Sequence, residues 1–151
     1  MITRILSKSA DETYSIGEKI GNRLTGKEVI YLVGDLGAGK TLFTQGIATS
    51  LGIDPHEVVS PTFTLVNEYM GGKNIRLMHI DLYRLGPSIP GRLPEIDDFI
   101  GDGIICIEWA QYLEQSYFDI SPSITVTFSL SGDNDDYRNI NINAIPAIEI
   151  K

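Results

Sequence analysis

The feature that most constrains this chain is a glycine-rich segment, residues 34–41, that lies between an apolar run and a helical pattern. Residues 29–33 are continuously apolar, which is typical of a strand buried on both faces of a parallel sheet. Residues 40–51 have apolar side chains at helical spacing and are followed by Gly52, which can end a helix. The segment between them fits G-x-x-x-x-G-K-[ST], a loop whose backbone N–H groups and following helix N-terminus surround a phosphate. Strand, loop and helix together predict a P-loop that binds a nucleoside phosphate.

We assign the P-loop, the residue after it and one distant tryptophan to nucleotide binding. Lys40 can reach the β- and γ-phosphates, and the Thr41 hydroxyl can bind Mg²⁺. A role for Trp109 in the core is equally consistent with its type. The predicted nucleotide-binding residues are Gly34, Asp35, Leu36, Gly37, Ala38, Gly39, Lys40, Thr41, Leu42 and Trp109.

Two carboxylates follow apolar strand patterns, and either could position the metal ion and its waters. Asp81 ends the run 77–81, and Glu108 ends the run 104–108. The second run is the more purely apolar, as expected of a strand beside the P-loop strand. We therefore predict that Glu108 and Thr41 bind Mg²⁺. Asp81 is predicted either to position the attacking water or to contact the metal ligands without binding the metal itself.

A hydroxyl-rich loop at residues 59–64 lies between the P-loop helix and Asp81. A loop in this place could sense the γ-phosphate, as a switch loop does, and Thr62 is our candidate, although a plain Ser-Pro turn fits the composition as well. With Asp81 and Glu108, Thr62 completes the predicted catalytic set. His79 alternates with apolar neighbours, so we expect it to be a buried structural residue.

The remaining patterns predict an α/β fold with a mixed central sheet, flanking helices and antiparallel hairpins, arranged as one P-loop NTPase-like domain over residues 1–151. Residues 9–12 resemble a capping box that begins a helix, and Gly26 can end that helix. Hairpins are expected at residues 62–82 and 124–144. The segment 86–94, rich in proline and glycine, is expected to be a loop.

Charge and composition exclude several classes of protein. The net charge is −8, and residues 95–151 hold 11 acidic and 2 basic side chains, so unaided binding to a nucleic-acid backbone is not expected. The lone Cys106 fits a reducing cytoplasm. No apolar run reaches the roughly 18 residues of a membrane span, so we expect no membrane association.

Several of these stretches together resemble one family, the bacterial TsaE (YjeE) ATPases of tRNA threonylcarbamoyladenosine biosynthesis. Their order and spacing cover nearly the whole chain. The resemblance rests on residues 34–41, on Ser60-Pro61-Thr62-Phe63 with residues 65–69, on His79-Ile80-Asp81-Leu82-Tyr83-Arg84-Leu85, and on Ile107-Glu108-Trp109.

The resemblance implies an enzyme that binds ATP and Mg²⁺ and joins the proteins TsaD and TsaB. In that family the pair transfers the threonylcarbamoyl group to tRNA, and TsaE is thought to let the complex turn over. It also implies a switch-like role for Thr62 and a nucleotide base near residues 7–13 and 131–138. The family usually has a helix-forming, Glu-rich stretch where this chain has the segment 86–94, so any partner contact made by that helix is in doubt here.

The residues bear on three other functions. A GTP-dependent switch would need an Asn/Thr-Lys-x-Asp motif, which does not occur in the sequence. A small-molecule kinase would need an acceptor pocket and a lid that brings arginines to the phosphate. A nucleotide-binding interaction module would bind the nucleotide without hydrolysing it. The last two stay open as alternatives.

Overall fold

The part of the chain that the structure describes contains seven strands and three α-helices, joined by loops and short 3₁₀ turns. This computed structural model describes residues 2–35, 37–61 and 65–150. The strands are β1 (Ile2–Ser7), β2 (Val29–Val33), β3 (Val66–Met70), β4 (Arg76–Asp81), β5 (Ile104–Glu108), β6 (Ser123–Leu130) and β7 (Arg138–Ile145), and the helices are α1 (Ala10–Gly21), α2 (Lys40–Ser50) and α3 (Pro94–Asp97).

All seven strands belong to one sheet in the order β1-β7-β6-β2-β5-β4-β3. The central strands β6, β2, β5 and β4 are parallel, whereas β1, β7 and β3 pair antiparallel at the two sides. The predicted α/β fold with a mixed sheet and antiparallel hairpins is therefore confirmed. Because β5 lies between β2 and β4, the carboxyl ends of these three strands meet at one edge of the sheet, where ligands bind in open α/β folds.

Each face of the sheet is covered differently. Helices α1 and α2 pack on one face, where Ile20, Phe43 and Ile47 are fully buried against residues such as Leu32. The other face is covered by α3, by the segment 86–94 and by short 3₁₀ turns, with Tyr117 fully buried there. Burial of one such large apolar side chain contributes about 1.5–3 kcal/mol, so both layers stabilise the sheet.

Helix α1 begins where it was predicted and ends earlier. Ser9 is the N-cap, and its side chain accepts a hydrogen bond from the backbone N–H of Glu12. The helix ends at Gly21, so the prediction that Gly26 terminates it is wrong. Gly26 instead lies in the following turn, where its backbone N–H donates to the buried carboxylate of Glu28.

The other predicted elements agree with the structure to within a few residues. Strands β3 and β4 form the first hairpin, although β3 begins at Val66 and residues 62–64 lie outside the described part. Strands β6 and β7 form the second hairpin. The segment 86–94 contains no regular helix before α3 begins at its last residue. Among the described residues, no helix combines the length and apolar character needed to cross a bilayer.

Candidate functional site

The P-loop connects the buried strand β2 to helix α2 in the predicted way. Gly37 and Gly39 have φ angles of 73° and 104°, a region that side-chain-bearing residues rarely adopt. Gly39 is the N-cap of α2 and provides no side-chain cap to the helix. The first turn of α2 therefore presents its backbone N–H groups and its positive dipole end to a ligand in the loop.

Lys40 is the first residue of α2 and is 4% exposed. Its Nζ donates to the backbone oxygens of Gly34 and Asp35, both at 2.7 Å, and lies 4.3 Å from the centre of the Trp109 ring. Burial lowers the pKa of Lys40, while the nearby charges of Glu108, Asp81 and Asp35 oppose that shift. The ammonium group is thus held inside the loop, where its burial outweighs the three carboxylates and the net effect is a lowered pKa.

Thr41, in the first turn of α2, comes into direct contact with Glu108 at the end of β5. The Thr41 hydroxyl lies 3.2 Å and 3.0 Å from the two carboxylate oxygens of Glu108. Glu108 is the last residue of β5, the strand that pairs with β2, and is 3% exposed. A hydroxyl and a carboxylate are hard oxygen donors of the kind that Mg²⁺ prefers. The two residues predicted to bind the metal therefore face each other at the mouth of the P-loop.

Asp81 lies beside Glu108 but has different partners. The two residues are register partners on the parallel strands β4 and β5. The Ser60 hydroxyl donates to Oδ2 of Asp81, and the Tyr83 backbone N–H donates to Oδ1 at 2.9 Å. Asp81 is therefore oriented by the loop before β3 and by the turn after β4, whereas Glu108 contacts the P-loop helix.

Trp109 is the centre of a small aromatic stack at the same edge. Its ring lies 4.9 Å from that of Tyr83 and 5.3 Å from that of Tyr112, and Trp109 itself is 8% exposed. Its backbone has φ 60° and ψ 38°, a left-handed conformation that turns the chain directly after Glu108. The turn places the indole face over Lys40, where a cation–π contact can form.

A cavity of about 320 Å³ opens next to the P-loop. One side is formed by the start of α1 and the other by the β6–β7 hairpin, whose Arg138 donates to the backbone oxygen of Gly37 at 3.0 Å. Leu42 and Thr13 contribute to its wall. The cavity has room for a flat heterocyclic group beside a phosphate chain in the loop.

The structure brings most of the predicted site residues to one place. Gly34, Lys40, Thr41, Glu108 and Trp109 are joined by the contacts given above, and Asp35, Gly37, Ala38, Gly39, Leu42 and Asp81 lie in or beside the same loop. Leu36 and Thr62 fall outside the described residues.

Three residues at the site were not singled out as functional, although Arg138 and Ser60 lie in segments, 131–138 and 59–64, that were expected to be near the nucleotide. His79 contacts Glu108, Arg138 contacts the P-loop backbone, and the Ser60 hydroxyl binds Asp81. A signal existed for two of them. His79 is two residues before Asp81, so both side chains point to the same face of a strand. Arg138 is the one basic side chain between residues 95 and 150.

Comparison with known protein families agrees with the resemblance noted in the sequence. A family described as "Threonylcarbamoyl adenosine biosynthesis protein TsaE" matches residues 7–140. A tRNA threonylcarbamoyladenosine biosynthesis protein TsaE of Aquifex aeolicus is 44% identical over 114 residues, which cover 74% of this chain and 79% of that protein. The protein of the same name from Treponema pallidum is 36% identical over 148 residues, covering 92% and 98%.

A solved structure has the same fold. The crystal structure of YdiB from Bacillus subtilis matches with a TM-score of 0.66 and 28% sequence identity. The match covers 96% of this chain and 86% of that one.

Proposed function

This chain belongs to the TsaE family, which has a role in tRNA threonylcarbamoyladenosine biosynthesis, and we propose that it acts there as an ATPase that binds ATP with Mg²⁺. The observation that carries the proposal is the contact between Thr41 and Glu108 beside the buried Lys40. The three side chains supply what nucleoside triphosphate hydrolysis needs at a P-loop, namely a cation for the phosphates and oxygen ligands for the metal.

The residues present fit a magnesium site that is completed by the nucleotide. Within the described residues, no three histidine, cysteine or acidic side chains cluster into a preformed metal site. A P-loop does not need such a cluster, because Mg²⁺ keeps several waters and is held by one or two protein oxygens together with substrate phosphates. Thr41 and Glu108 would hold it, and the bound ion would neutralise negative charge that develops on the phosphates.

The chain's own groups can then orient the reaction. Lys40 and the N-terminus of α2 bind the phosphates, and Trp109 shields the ammonium group from water. The carboxylate of Asp81 lies next to Glu108 and can accept a hydrogen bond from an attacking water. The cavity beside the P-loop, between the start of α1 and Arg138, would hold the base.

We further propose that the protein works in the cytoplasm with TsaD and TsaB. In this view it supports repeated rounds of threonylcarbamoyl transfer without itself performing the transfer, and tRNA is handled through the complex. The acidic composition supports this division of labour, because a chain with a net charge of −8 is poorly suited to bind tRNA alone.

The test is ATP hydrolysis by the purified protein, alone and with purified TsaB and TsaD. The measured quantities are the phosphate released and the amount of modified tRNA. We expect the pair to stimulate hydrolysis and to give several modified tRNAs per complex. Equal hydrolysis with and without the pair would contradict the proposed partners. Transfer of the phosphate to a small-molecule acceptor instead of water would favour a kinase.

The matched variants are Lys40→Ala and Lys19→Ala. Removal of the Lys40 ammonium is expected to weaken ATP binding by at least about 100-fold, because charge-assisted contacts to phosphate are lost. Lys19 is exposed near the end of α1, and its loss should leave binding unchanged. Isothermal titration calorimetry measures the ATP affinity of both variants. Unchanged affinity in Lys40→Ala would overturn the P-loop assignment.

A further inference from the structure

His79 lies on β4, two residues before Asp81, and is fully buried. Its Nε2 is 2.6 Å from Oε2 of Glu108, whose side chain is 4% exposed. A carboxylate that binds a metal is ionised and can only accept hydrogen bonds, so in that role of Glu108 the ring of His79 is the donor. His79, Glu108 and Thr41 thus form a continuous chain of contacts that runs from the interior of the sheet to the P-loop helix.

We propose that His79 is a positioning residue for Glu108, and that its Nε2–H holds the carboxylate in the orientation that binds Mg²⁺. This inference rests on the proposed function, since it takes Glu108 as a metal ligand. It goes beyond that proposal because it assigns a role in metal binding to a residue that would not touch the metal, the nucleotide or the water.

The partners of Glu108 support this division of roles. Among the described residues, Thr41 and His79 contact its carboxylate, and Thr41 is itself a proposed ligand. His79 contacts Oε2, which the Thr41 hydroxyl also approaches at 3.0 Å, so Oε1 is the carboxylate oxygen that can bind an ion while the bond from His79 persists. A glutamate has three rotatable side-chain bonds, so an interior hydrogen bond reduces the ordering that metal binding would otherwise require.

The surroundings of His79 indicate that packing alone does not explain a histidine here. Leu77 precedes it on the same face of β4, and Cys106 is its register partner on β5, and both are fully buried. Within the described part of the chain, Nδ1 of His79 is the buried side-chain polar atom that has no hydrogen-bond partner. Burial of an unpaired polar atom opposes folding, and an apolar side chain would fill the position without that cost.

The test compares His79→Leu with His79→Gln. Leucine keeps the apolar volume and removes the donor, whereas the glutamine amide nitrogen can reach the place of Nε2 and still donate to Glu108. The measured quantity is binding of a methylanthraniloyl-labelled ATP, first in EDTA and then as Mg²⁺ is titrated. Fluorescence of the label reports binding directly, so the result does not depend on turnover.

We expect His79→Leu to raise the Mg²⁺ concentration for half-maximal effect by about 10-fold or more, in line with other residues that orient metal ligands. Its affinity for the nucleotide in EDTA should stay at the wild-type value. His79→Gln should recover most of the Mg²⁺ response. In a Glu108→Gln background, His79→Leu should cause no additional shift, because the group that it orients no longer binds the ion.

The outcomes separate this inference from the proposed function. If Glu108→Gln leaves the Mg²⁺ response unchanged, the metal assignment of the proposed function is wrong. If Glu108→Gln shifts the response and His79→Leu does not, only the role of His79 is overturned. Equal losses with and without Mg²⁺, or no recovery in His79→Gln, would show a merely structural residue.

Should His79→Leu fail to fold, His79→Asn replaces it in the comparison. The asparagine side chain is too short for its amide nitrogen to reach Glu108, but it keeps a polar group at the same position. Asparagine is expected to lose the Mg²⁺ response that glutamine retains, and an equal response in the two variants would overturn the inference.

Discussion

Two carboxylates at adjacent strand ends have different hydroxyl partners. Glu108 contacts Thr41 of the P-loop helix, and Asp81 accepts from Ser60 in another loop. Their backbones are register partners, so strand position alone does not distinguish them. The hydroxyl partners do distinguish them, and a P-loop threonine such as Thr41 is the reason we propose Glu108 rather than Asp81 as the metal ligand.

Replacement of Asp81 by asparagine tests its role in the chemistry. The amide oxygen can still accept from the Tyr83 N–H, and the Ser60 hydroxyl can turn to accept from the amide nitrogen, so the local structure should be kept. The charge that would orient or deprotonate water is lost. We expect partner-stimulated ATP hydrolysis to fall by at least about 100-fold, measured as released phosphate.

Binding serves as the control for Asp81→Asn. The affinity for ATP with Mg²⁺, measured by titration calorimetry, should change by less than about 3-fold, because the proposed role of Asp81 is to act on the reacting water and not on the bound nucleotide. Normal hydrolysis in this variant would show that Asp81 is structural.

At the scale of single residues, the sequence predicted contacts correctly where the residues belong to one short motif or end a clear apolar run. Lys40 and Thr41 are adjacent in one loop, and an apolar run marks Glu108, so their meeting could be predicted. The bond between His79 and Glu108 could not be predicted, because it joins residues 29 positions apart and depends on the register of β4 against β5. Burial of His79 was predicted, but its partner was not.

At the scale of elements, the site depends on how closely α1 and α2 approach each other. A Cβ atom at Gly46 would overlap the carbonyl oxygen of Tyr14, and one at Gly17 would overlap that of Phe43. The two helices therefore touch through their backbones. This contact sets the distance between the start of α1, which lines the cavity, and the P-loop, which begins α2.

Gly46→Ala is expected to destabilise the protein although alanine favours helices. The gain in helix propensity is about 1 kcal/mol, and the overlap with Tyr14 should exceed it, giving a net loss of about 1–3 kcal/mol. Urea unfolding followed by circular dichroism measures the change. Ser15→Ala, at an exposed position of α1, is the matched control and should be nearly neutral. A variant Gly46→Ala as stable as the wild type would mean that the helices are not in backbone contact.

The turn before β2 depends on one buried carboxylate. Glu28 is 6% exposed and accepts hydrogen bonds from the backbone N–H groups of Thr25, Gly26 and Lys27 and from the Thr25 hydroxyl. Burial acts to raise the pKa of Glu28, but the hydrogen bonds led by those from Thr25 and Gly26 outweigh it and lower the pKa below 4.5.

Glu28→Gln is expected to lower stability by about 1–3 kcal/mol at neutral pH, because charge-assisted bonds become weaker neutral ones. A lowered folded-state pKa stabilises the protein above the unfolded-state value, and this stability is lost as the pH falls through the folded-state value. The difference between wild type and variant should therefore shrink as the pH decreases below about 4.5. Urea unfolding across this range measures it, and a difference independent of pH would contradict the role of the charge.

The same turn explains why the end of α1 was predicted incorrectly. A glycine after a helical pattern usually indicates a C-cap, and Gly26 follows such a pattern. Here the hydrogen-bonding capacity of Glu28 draws residues 25–27 into a separate turn, and the helix ends at Gly21. Local spacing does not reveal which backbone groups a buried carboxylate will bind.

At the scale of the whole molecule, negative charge is concentrated in the later part of the chain. Residues 1–94 hold 10 basic and 9 acidic side chains, whereas residues 95–151 hold 2 and 11. Most of these later acidic residues are exposed in the structure, with Glu108 as a buried exception. The resulting field favours approach to a basic protein surface and opposes approach to tRNA.

Association with the proposed partners, the TsaB–TsaD pair, should therefore slow as salt is added. Between about 0.05 M and 0.5 M NaCl the screening length becomes several-fold shorter, so the association rate should fall by about 10-fold or more, with a much smaller change in the dissociation rate.

Two variants of equal net charge locate the effect. Asp98→Asn with Asp102→Asn neutralises the later part, and Asp11→Asn with Glu57→Gln neutralises the earlier part, all at exposed positions. The first pair should slow association at low salt more than the second, because steering depends on where the charge lies and not only on its sum. Equal rates at all salt concentrations would show that shape and apolar contact, rather than the acidic surface, bring the partners together.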